Sequence, residues 1–233
     1  MNTKTALADQ ILDFLGSLQI PPSLPRGVHV MNPYQEVSAM ELCKRFYHKY
    51  YDDTVSRRMI IGINPGRLGG GLTGIPFTDP IHLETNCDIE NLLPKKAELS
   101  STFIYEMITS LGGPKSFYSK FYFSSISPLG FTKDGKNLNY YDDARLQKKL
   151  APFILACLNT QLQFGIDRNV AYCLGEGDNF KFLKQLNERH HFFDKIIPLA
   201  HPRFIMQYKS KSKADYMQRY REALDFIPGK VSS

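Results

Sequence analysis

Three polar segments of the sequence stand where side chains could bind or act on a ligand. Each follows a run of apolar residues typical of a buried β-strand, and each combines a polar side chain with a proline that fixes the turn. The carboxyl ends of parallel strands meet at one edge of a sheet, which is where ligands bind in open α/β sheets. We therefore expect a site formed by Gly62-Ile63-Asn64-Pro65-Gly66, Ser125-Ile126-Ser127-Pro128-Leu129 and Ala200-His201-Pro202-Arg203-Phe204.

The loop after the first segment contains the letters of a dinucleotide-binding motif, Gly69-Gly70-Gly71-Leu72-Thr73-Gly74. That motif must open a helix whose N-terminus meets a pyrophosphate. Here Pro76 and Pro80 follow at once, and the sequence has no GxxxxGK[ST] phosphate loop. A metal-dependent nucleotide-binding hydrolase that uses this loop, with Asp79 as the nearest carboxylate, remains an alternative.

Signatures of other enzyme classes are absent from the sequence. There is no Gly-x-Ser-x-Gly elbow of a serine hydrolase, and the adjacent His190 and His191 would point in different directions on a helix. We therefore expect no metal and no cofactor. The cysteines are far apart and form no CxxC pair, so we interpret them as buried reduced thiols. They are Cys43, Cys87, Cys157 and Cys173.

Residues 62–77 resemble the first motif of the single-strand-selective monofunctional uracil-DNA glycosylases. That motif has the form G-M-N-P-G-(x)n-T-G-V-P-F, and this chain has Gly-Ile-Asn-Pro-Gly followed by Thr-Gly-Ile-Pro-Phe. His201-Pro202 is similar to the start of the family's second motif, His-Pro-Ser-Pro. Ser127-Pro128-Leu129 with Asn137-Leu138 is similar to an intervening segment. The resemblance spans roughly residues 57–210 and indicates a divergent branch of that family.

This resemblance implies a DNA repair enzyme that flips a damaged base out of DNA and hydrolyses its bond to deoxyribose. Asn64 would place the water, and His201 would stabilise the negative charge that leaves with the base. A neutral amide is a poor base, so Asn64 can orient a water but hardly deprotonate it. The reaction would then depend on an oxocarbenium-like sugar, as in other glycosidic cleavages.

The resemblance also assigns the residues that would hold the base. Phe77 would stack on it, and Gly66 would let the backbone approach closely. Ser125 stands where the family has its base-reading asparagine, so we expect weaker discrimination and acceptance of other deaminated bases such as xanthine. Backbone amides near Ile63 or Ser125 would contribute part of the recognition of the base. The full set of expected substrate-binding residues is Gly62, Ile63, Gly66, Phe77 and Ser125.

A third group of residues would contact the DNA around the flipped base. Pro202, Arg203 and Phe204 would fill the hole that an extruded base leaves in the stack. Lys209 and Lys211, at the start of a basic stretch, would contact phosphates. A catalytically inactive nucleic-acid binding module of the same fold is the second alternative.

Strands that alternate with helices must position these residues. Because helices of ten or more residues separate the strands, we predict a three-layer α-β-α sandwich around a central, mainly parallel four-stranded sheet. We expect one domain over residues 1–233, with the helical residues 1–50 packed on it. Apolar spacing predicts strands at 57–63, 120–126, 169–175 and 192–199, helices at 3–18, 38–50, 101–111, 143–163, 178–190 and 211–225, and a long loop at 64–94.

The composition is typical of a globular protein, and its charge favours binding to a polyanion. The chain has 233 residues, 42% hydrophobic and 22% charged, which excludes a disordered or fibrous protein. Its formal net charge of +6 favours a nucleic-acid partner, here DNA. Asp9 interrupts the first apolar run, and no stretch of about 18 apolar residues occurs, so we expect no signal peptide and no membrane span. We further expect a cytoplasmic monomer.

Overall fold

The computed structural model describes residues 5–19 and 24–225, so the first two residues of the helix expected at 3–18 lie outside the described residues. The strands are β1 (Val28–Met31), β2 (Arg58–Gly62), β3 (Phe121–Ser125), β4 (Gly130–Lys133), β5 (Lys136–Leu138), β6 (Asp167–Leu174) and β7 (Lys195–Leu199). The helices are α1 (Leu7–Ser17), α2 (Val37–Tyr51), α3 (Gly70–Thr73), α4 (Pro80–Thr85), α5 (Leu99–Ser110), α6 (Gly113–Tyr118), α7 (Ala144–Leu162), α8 (Asp178–His190), α9 (Pro202–Tyr208) and α10 (Lys213–Leu224).

A parallel sheet of four strands, in the order β3-β2-β6-β7, forms the centre of the fold. Its strands are continuous apolar runs because both faces of a parallel sheet are buried. The registers pair Gly62 with Ser125 and Leu174 with Leu199, so the four carboxyl ends lie side by side at one edge. The predicted parallel α/β sheet is therefore confirmed, although β7 begins three residues later than expected.

Helices flank this sheet on both faces. On one face, the hydroxyl of Tyr122 donates to Gln161 of α7 at 3.0 Å. On the other face, Phe117 of α6 packs against Phe121 and Phe123, with ring centroids 5.0 and 5.4 Å apart. Successive residues of a strand point to opposite faces, so these contacts place α7 and α6 on opposite sides. The expected three-layer arrangement is confirmed.

The N-terminal helices α1 and α2 pack against each other. Phe14 of α1 meets Phe164, which follows α7, with ring centroids 5.9 Å apart. Tyr51, at the end of α2, donates to the carbonyl of Phe121 in the edge strand β3 at 3.0 Å. Both helices thus contribute apolar side chains to the same buried core as the sheet.

A second, antiparallel sheet in the order β1-β4-β5 was not predicted. Its strands are three or four residues long and partly polar, so they lack the apolar runs by which the central strands were found. The turn between β4 and β5 has positive φ at Asp134 (50°) and Gly135 (71°), the geometry of a two-residue hairpin. This hairpin carries Asn137 and Leu138 to the edge where β2 ends.

The segment 64–94, predicted as one long loop, contains the short helices α3 and α4. Close packing against the protein requires glycine at two positions of this segment, Gly71 and Gly74. A Cβ at Gly71 would lie 2.8 Å from the carbonyl oxygen of Gly66, and one at Gly74 would lie 2.5 Å from Sγ of Cys43. Gly74 also ends α3 with φ of 74°, a conformation that favours glycine.

All four cysteines are free and buried, as predicted from their spacing. Burial raises the pKa of Cys43, Cys157 and Cys173 to about 12. In the described ranges, none of the helices has the length and apolar character needed to cross a membrane.

Candidate active site

The three polar segments meet at a cavity of about 90 Å³ on the carboxyl edge of the central sheet. Asn64 follows β2, Ser125 ends β3, and His201 lies two residues beyond β7; all three line this cavity. They meet because parallel strands bring their carboxyl ends to one edge. The convergence expected from the sequence is therefore present in the structure.

The side-chain amide of Asn64 is held at both ends by the backbone that follows β5. Its Oδ1 accepts from the backbone N–H of Tyr140 at 3.0 Å, and its Nδ2 donates to the carbonyl of Leu138 at 3.2 Å. A backbone N–H can only donate, so it fixes which end of the amide is oxygen. A carbonyl oxygen has a second lone pair, and Asn64 can therefore still accept from a bound water.

His201 is the N-cap of α9 and borders the cavity as a neutral imidazole. Its Nδ1 accepts from the backbone N–H of Arg203 at 3.2 Å, so the proton of the neutral ring resides on Nε2. Burial, together with the nearby charge of Arg203, lowers the pKa of His201 to about 4. The ring can thus offer an N–H donor without carrying a charge at neutral pH.

Phe77 occupies its place at the cavity through an unusual backbone conformation and a close contact with a glycine. Its φ is 55°, which a bulky side chain rarely adopts and which costs about 1–3 kcal/mol. Its ring lies on Gly62, where a Cβ would be 2.6 Å from Cζ, and packs 5.2 Å from Phe123 and 6.0 Å from the ring of His201. Strain of this kind is typical of functional sites.

Of the other expected base-binding residues, Ser125, Gly66 and Ile63 also line the cavity, whereas Gly62 does not, because the ring of Phe77 covers it. Ser125 is buried, and its hydroxyl makes no hydrogen bond within the part of the chain that the structure describes, which leaves it available to a ligand. A Cβ at Gly66 would meet the amide of Asn137 only at 3.5 Å, an ordinary contact, so the protein itself does not require glycine there. Ile63 lines the cavity beside Asn64.

Sequence reasoning missed several polar residues of the cavity wall, chiefly Glu98, Ser100 and Asn139. Glu98 caps α5 by accepting from the backbone N–H of Ser101 at 3.1 Å, and burial raises the pKa of its carboxyl. Nothing in the local sequence marks Glu98, because the residues before it form a charged loop. Asn139 could have been found from the Asp134-Gly135 hairpin signal, which places the following residues at this edge.

The residues expected to contact DNA occupy different environments. Pro202 is buried at the first position of α9, a favoured place for proline, so the expectation that it fills a hole in the DNA stack is corrected. Arg203 is exposed and borders the cavity. Phe204 is 42% exposed and pairs with the exposed ring of Tyr208, 5.8 Å away. Lys209 and Lys211 are exposed just beyond α9.

Asp79, the carboxylate of the nucleotide-hydrolase alternative, has a structural role. Its buried side chain accepts from the backbone N–H groups of His82 and Glu98, both at 2.8 Å, and lies 2.9 Å from Nδ1 of His82. Burial raises its pKa, but these hydrogen bonds outweigh it and leave the pKa below the ordinary value. Over residues 5–19 and 24–225, no three His, Cys, Asp or Glu side chains are grouped so as to hold a metal ion.

The chain is similar to known proteins of one superfamily. Residues 48–225 match the family model of the Uracil DNA glycosylase superfamily. Among solved structures, the crystal structure of wild-type SMUG2 from Pedobacter heparinus is similar, with 47% sequence identity and a TM-score of 0.91. The match covers 94% of this chain and 96% of that chain. Comparison with the curated proteins found no match.

Proposed function

Because the chain belongs to the uracil DNA glycosylase superfamily, we propose that it is a monofunctional glycosylase that excises uracil and other deaminated bases from DNA. The enzyme flips the base, hydrolyses its N-glycosidic bond and leaves an abasic site. The observation that carries this proposal is the meeting of Asn64, His201 and Phe77 around one cavity. It acts without a metal, as a cytoplasmic monomer.

Asn64 supplies the position of the water. Two backbone groups hold its amide rigidly, so the free lone pair of Oδ1 points in one direction and can orient a water toward the sugar carbon. Fixing a nucleophile in this way replaces a bimolecular encounter by a preorganised one. Since the amide cannot take a proton at neutral pH, bond breaking runs ahead of water attack.

His201 receives the charge of the leaving base. Its Nε2–H donates to the oxygen of the base that becomes an oxyanion as the glycosidic bond breaks. A preorganised donor of this kind is worth about 3–4 kcal/mol, or roughly a hundred- to thousandfold in rate. The bond from Arg203 N–H to Nδ1 keeps the imidazole in the tautomer that this role requires.

The cavity accepts a planar base with moderate discrimination. Phe77 stacks on the base, which contributes about 1–3 kcal/mol whichever planar base is present. Ser125 offers one donor and one acceptor to the edge of the base, whereas an asparagine would offer two complementary groups. Xanthine and hypoxanthine are therefore further substrates. Around the cavity, Arg203 and Phe204 enter the gap left in the stack, and Lys209 and Lys211 bind phosphates.

The proposal is tested by incubating the protein in EDTA with labelled single- and double-stranded oligonucleotides that carry one uracil, hypoxanthine or xanthine. Alkali cleavage then reveals abasic sites. Asn64→Ala should lose at least a hundredfold in excision rate and remain folded, because the substitution removes the water-orienting amide. A urea unfolding curve provides the control for folding.

Two results would contradict the proposal. Excision that requires a divalent cation would favour the nucleotide-hydrolase chemistry, and binding without excision on every substrate would favour an inactive nucleic-acid module. An unchanged rate in Asn64→Ala would remove Asn64 from the mechanism.

A further inference from the structure

A second cavity of about 430 Å³ adjoins the base cavity and has no role in the chemistry described above. The two cavities share part of their walls, including Gly66, Glu98 and Arg203. We propose that this groove binds the phosphodiester backbone of the damaged strand next to the flipped nucleotide, through Arg67 and Lys136. The inference rests on the proposed glycosylase function and extends it to residues outside the base cavity.

Positive charge is concentrated in this groove. Arg67, Lys136 and Arg203 line it, and all three side chains are exposed. None of the three forms an ion pair with another residue in the described part of the chain. The groove has one carboxylate, Glu98, which is engaged as the cap of α5. Because three unpaired cations outnumber the single carboxylate, which already caps α5, the groove favours a polyanionic ligand.

The cations come from separate elements that the fold fastens together. Arg67 precedes α3, Lys136 begins β5, and Arg203 lies in the first turn of α9. The backbone N–H of Arg67 donates to Oδ1 of Asn137 at 3.2 Å, which ties the loop after β2 to the hairpin. The groove is therefore assembled by tertiary structure, and the sequence alone brings none of these cations together.

The position of the groove explains why it would take a backbone and not a base. Arg67 lies three residues after Asn64, and Lys136 lies two residues before Leu138, whose carbonyl holds the Asn64 amide. Both cations therefore belong to the two chain segments that carry and hold Asn64. In the proposed reaction Asn64 faces the sugar, and the sugar is where the phosphodiester chain continues.

The apolar part of the wall suits the rest of a neighbouring nucleotide. Leu68 and Leu99 line the groove, and Leu99 is 44% exposed. Their side chains can pack against a deoxyribose or an unstacked base, while Arg67 and Lys136 pair with the phosphate. The sequence of the DNA is not read by such contacts.

The experiment measures binding, so that it does not depend on turnover. The probe is a single-stranded oligonucleotide that carries 2′-deoxy-2′-fluoroarabinouridine. Its 2′-fluorine slows cleavage of the glycosidic bond, so the base stays attached during the binding measurement. Phosphodiesters flanking the uracil are replaced one at a time by a neutral methylphosphonate. We expect the wild-type protein to bind about tenfold more weakly when the linkage seated in the groove is neutral.

The decisive comparison uses the double variant Arg67→Ala/Lys136→Ala. It should bind the all-phosphate probe about tenfold more weakly, and the same methylphosphonate should then have little further effect. Its slope of log K against log salt should fall by about 0.7, since the loss of one single-strand phosphate contact changes the slope by that amount. The swap Arg67→Lys/Lys136→Arg keeps both charges and should restore sensitivity to the linkage.

A matched control removes two charges elsewhere. Lys115 and Lys120 are exposed near the amino end of β3, at the opposite edge of the sheet from the groove. Lys115→Ala/Lys120→Ala should retain the wild-type sensitivity to the methylphosphonate. If the neutral linkage weakens binding equally in the wild type and in the Arg67/Lys136 variant, or weakens the wild type at no position, the inference is overturned.

Failure of the inference is distinguishable from failure of the proposed function. A wild-type protein that excises no base would refute the glycosylase proposal, whereas the binding comparison would still show whether Arg67 and Lys136 contact a phosphate.

Discussion

His201 is neutral in the folded protein over a range of pH in which an unfolded histidine is charged. Burial holds its pKa at about 4, against about 6.5 in the unfolded chain. Below pH 6.5 the unfolded state binds a proton that the folded state does not, so this group lowers stability progressively from pH 6.5 to pH 4. Above pH 6.5 the residue is neutral in both states, so it does not lower the stability.

The direction of this pH dependence of stability gives a prediction for unfolding experiments. The free energy of unfolding of the wild type should decrease between pH 6.5 and pH 4 more steeply than that of His201→Asn. Asparagine has no titrating group and can still cap α9. Urea unfolding at four pH values in this range measures the difference, and parallel curves for the two proteins would show that His201 titrates normally in the folded state.

Ser125 should set the range of bases that the cavity accepts. The residue is buried, and its hydroxyl has no hydrogen-bond partner in the described residues, so one donor and one acceptor are all that it offers to distinguish one base from another. In Ser125→Asn, we expect the ratio of uracil to xanthine excision to rise about tenfold, because an amide presents a donor and an acceptor together. Single-turnover rates on the two substrates measure this ratio. A flat profile would mean that Ser125 does not read the base.

At the scale of elements, the segment after β5 links Asn64 to helix α8. The hydroxyl of Tyr140 donates to Oδ1 of Asn179 at 3.0 Å, and Nδ2 of Asn179 donates to the carbonyl of Leu174 at 3.0 Å and to that of Gly62 at 3.4 Å. Tyr140 also donates its backbone N–H to Asn64. Asn179 thus fastens the ends of β2 and β6 to the backbone that holds the Asn64 amide.

Tyr140→Phe should therefore slow excision while leaving DNA binding intact. The ring and the backbone N–H remain, but Asn179 loses its donor and the segment that holds Asn64 becomes less rigid. We expect kcat to fall about tenfold with KM nearly unchanged, the pattern of an interaction that acts in the transition state. Tyr141→Phe is the matched control, since the hydroxyl of Tyr141 makes no hydrogen bond in the described residues. Equal rates for both variants would contradict the positioning role.

The central strands were predictable from sequence because each is a continuous apolar run, such as Met59-Ile60-Ile61 or Phe121-Tyr122-Phe123. The β4–β5 hairpin was not predicted, since its strands are short and partly polar. Its Asp134-Gly135 turn was nevertheless a recognisable signal. The omission matters because this hairpin leads into the backbone that holds Asn64.

The meeting of Asn64, Phe77, Ser125 and His201 could be predicted from strand order and from the motif resemblance. Other residues of the cavity could not be predicted, because their positions depend on tertiary structure alone. Glu98 reaches the same cavity only because α5 begins there, and no local pattern shows that. Pro202 was expected to enter the DNA stack because of the resemblance to the family's second motif, whereas it begins α9 and is buried.

At the scale of the whole molecule, Arg57 joins three parts of the fold from a buried position. Its side chain is 1% exposed, pairs with Asp53, and donates to the carbonyls of Val55 at 2.6 Å and Tyr118 at 3.1 Å. The hydrogen bond from Arg57 also lowers the pKa of Asp53. These contacts connect the residues after α2, the start of β2 and the end of α6.

Arg57→Ala should destabilise the protein by about 3 kcal/mol, because it leaves the buried carbonyl of Tyr118 without its donor and removes the ion pair with Asp53. Chemical unfolding measures the change. Arg145→Ala is the matched control: its side chain is 80% exposed, and it pairs with Asp143 at the surface. Arg145→Ala should change stability little, as exposed ion pairs contribute little. Equal effects of the two substitutions would show that Arg57 is not an anchor of the fold.

The burial of every native thiol has a practical consequence for following the protein in solution. A maleimide dye reacts with thiolates, and burial keeps the native cysteines protonated and out of reach. A cysteine introduced by Ser210→Cys, exposed between Lys209 and Lys211, would then be the one position to take the label. Its fluorescence would report the arrival and departure of DNA beside α9 in real time, with no native residue replaced elsewhere.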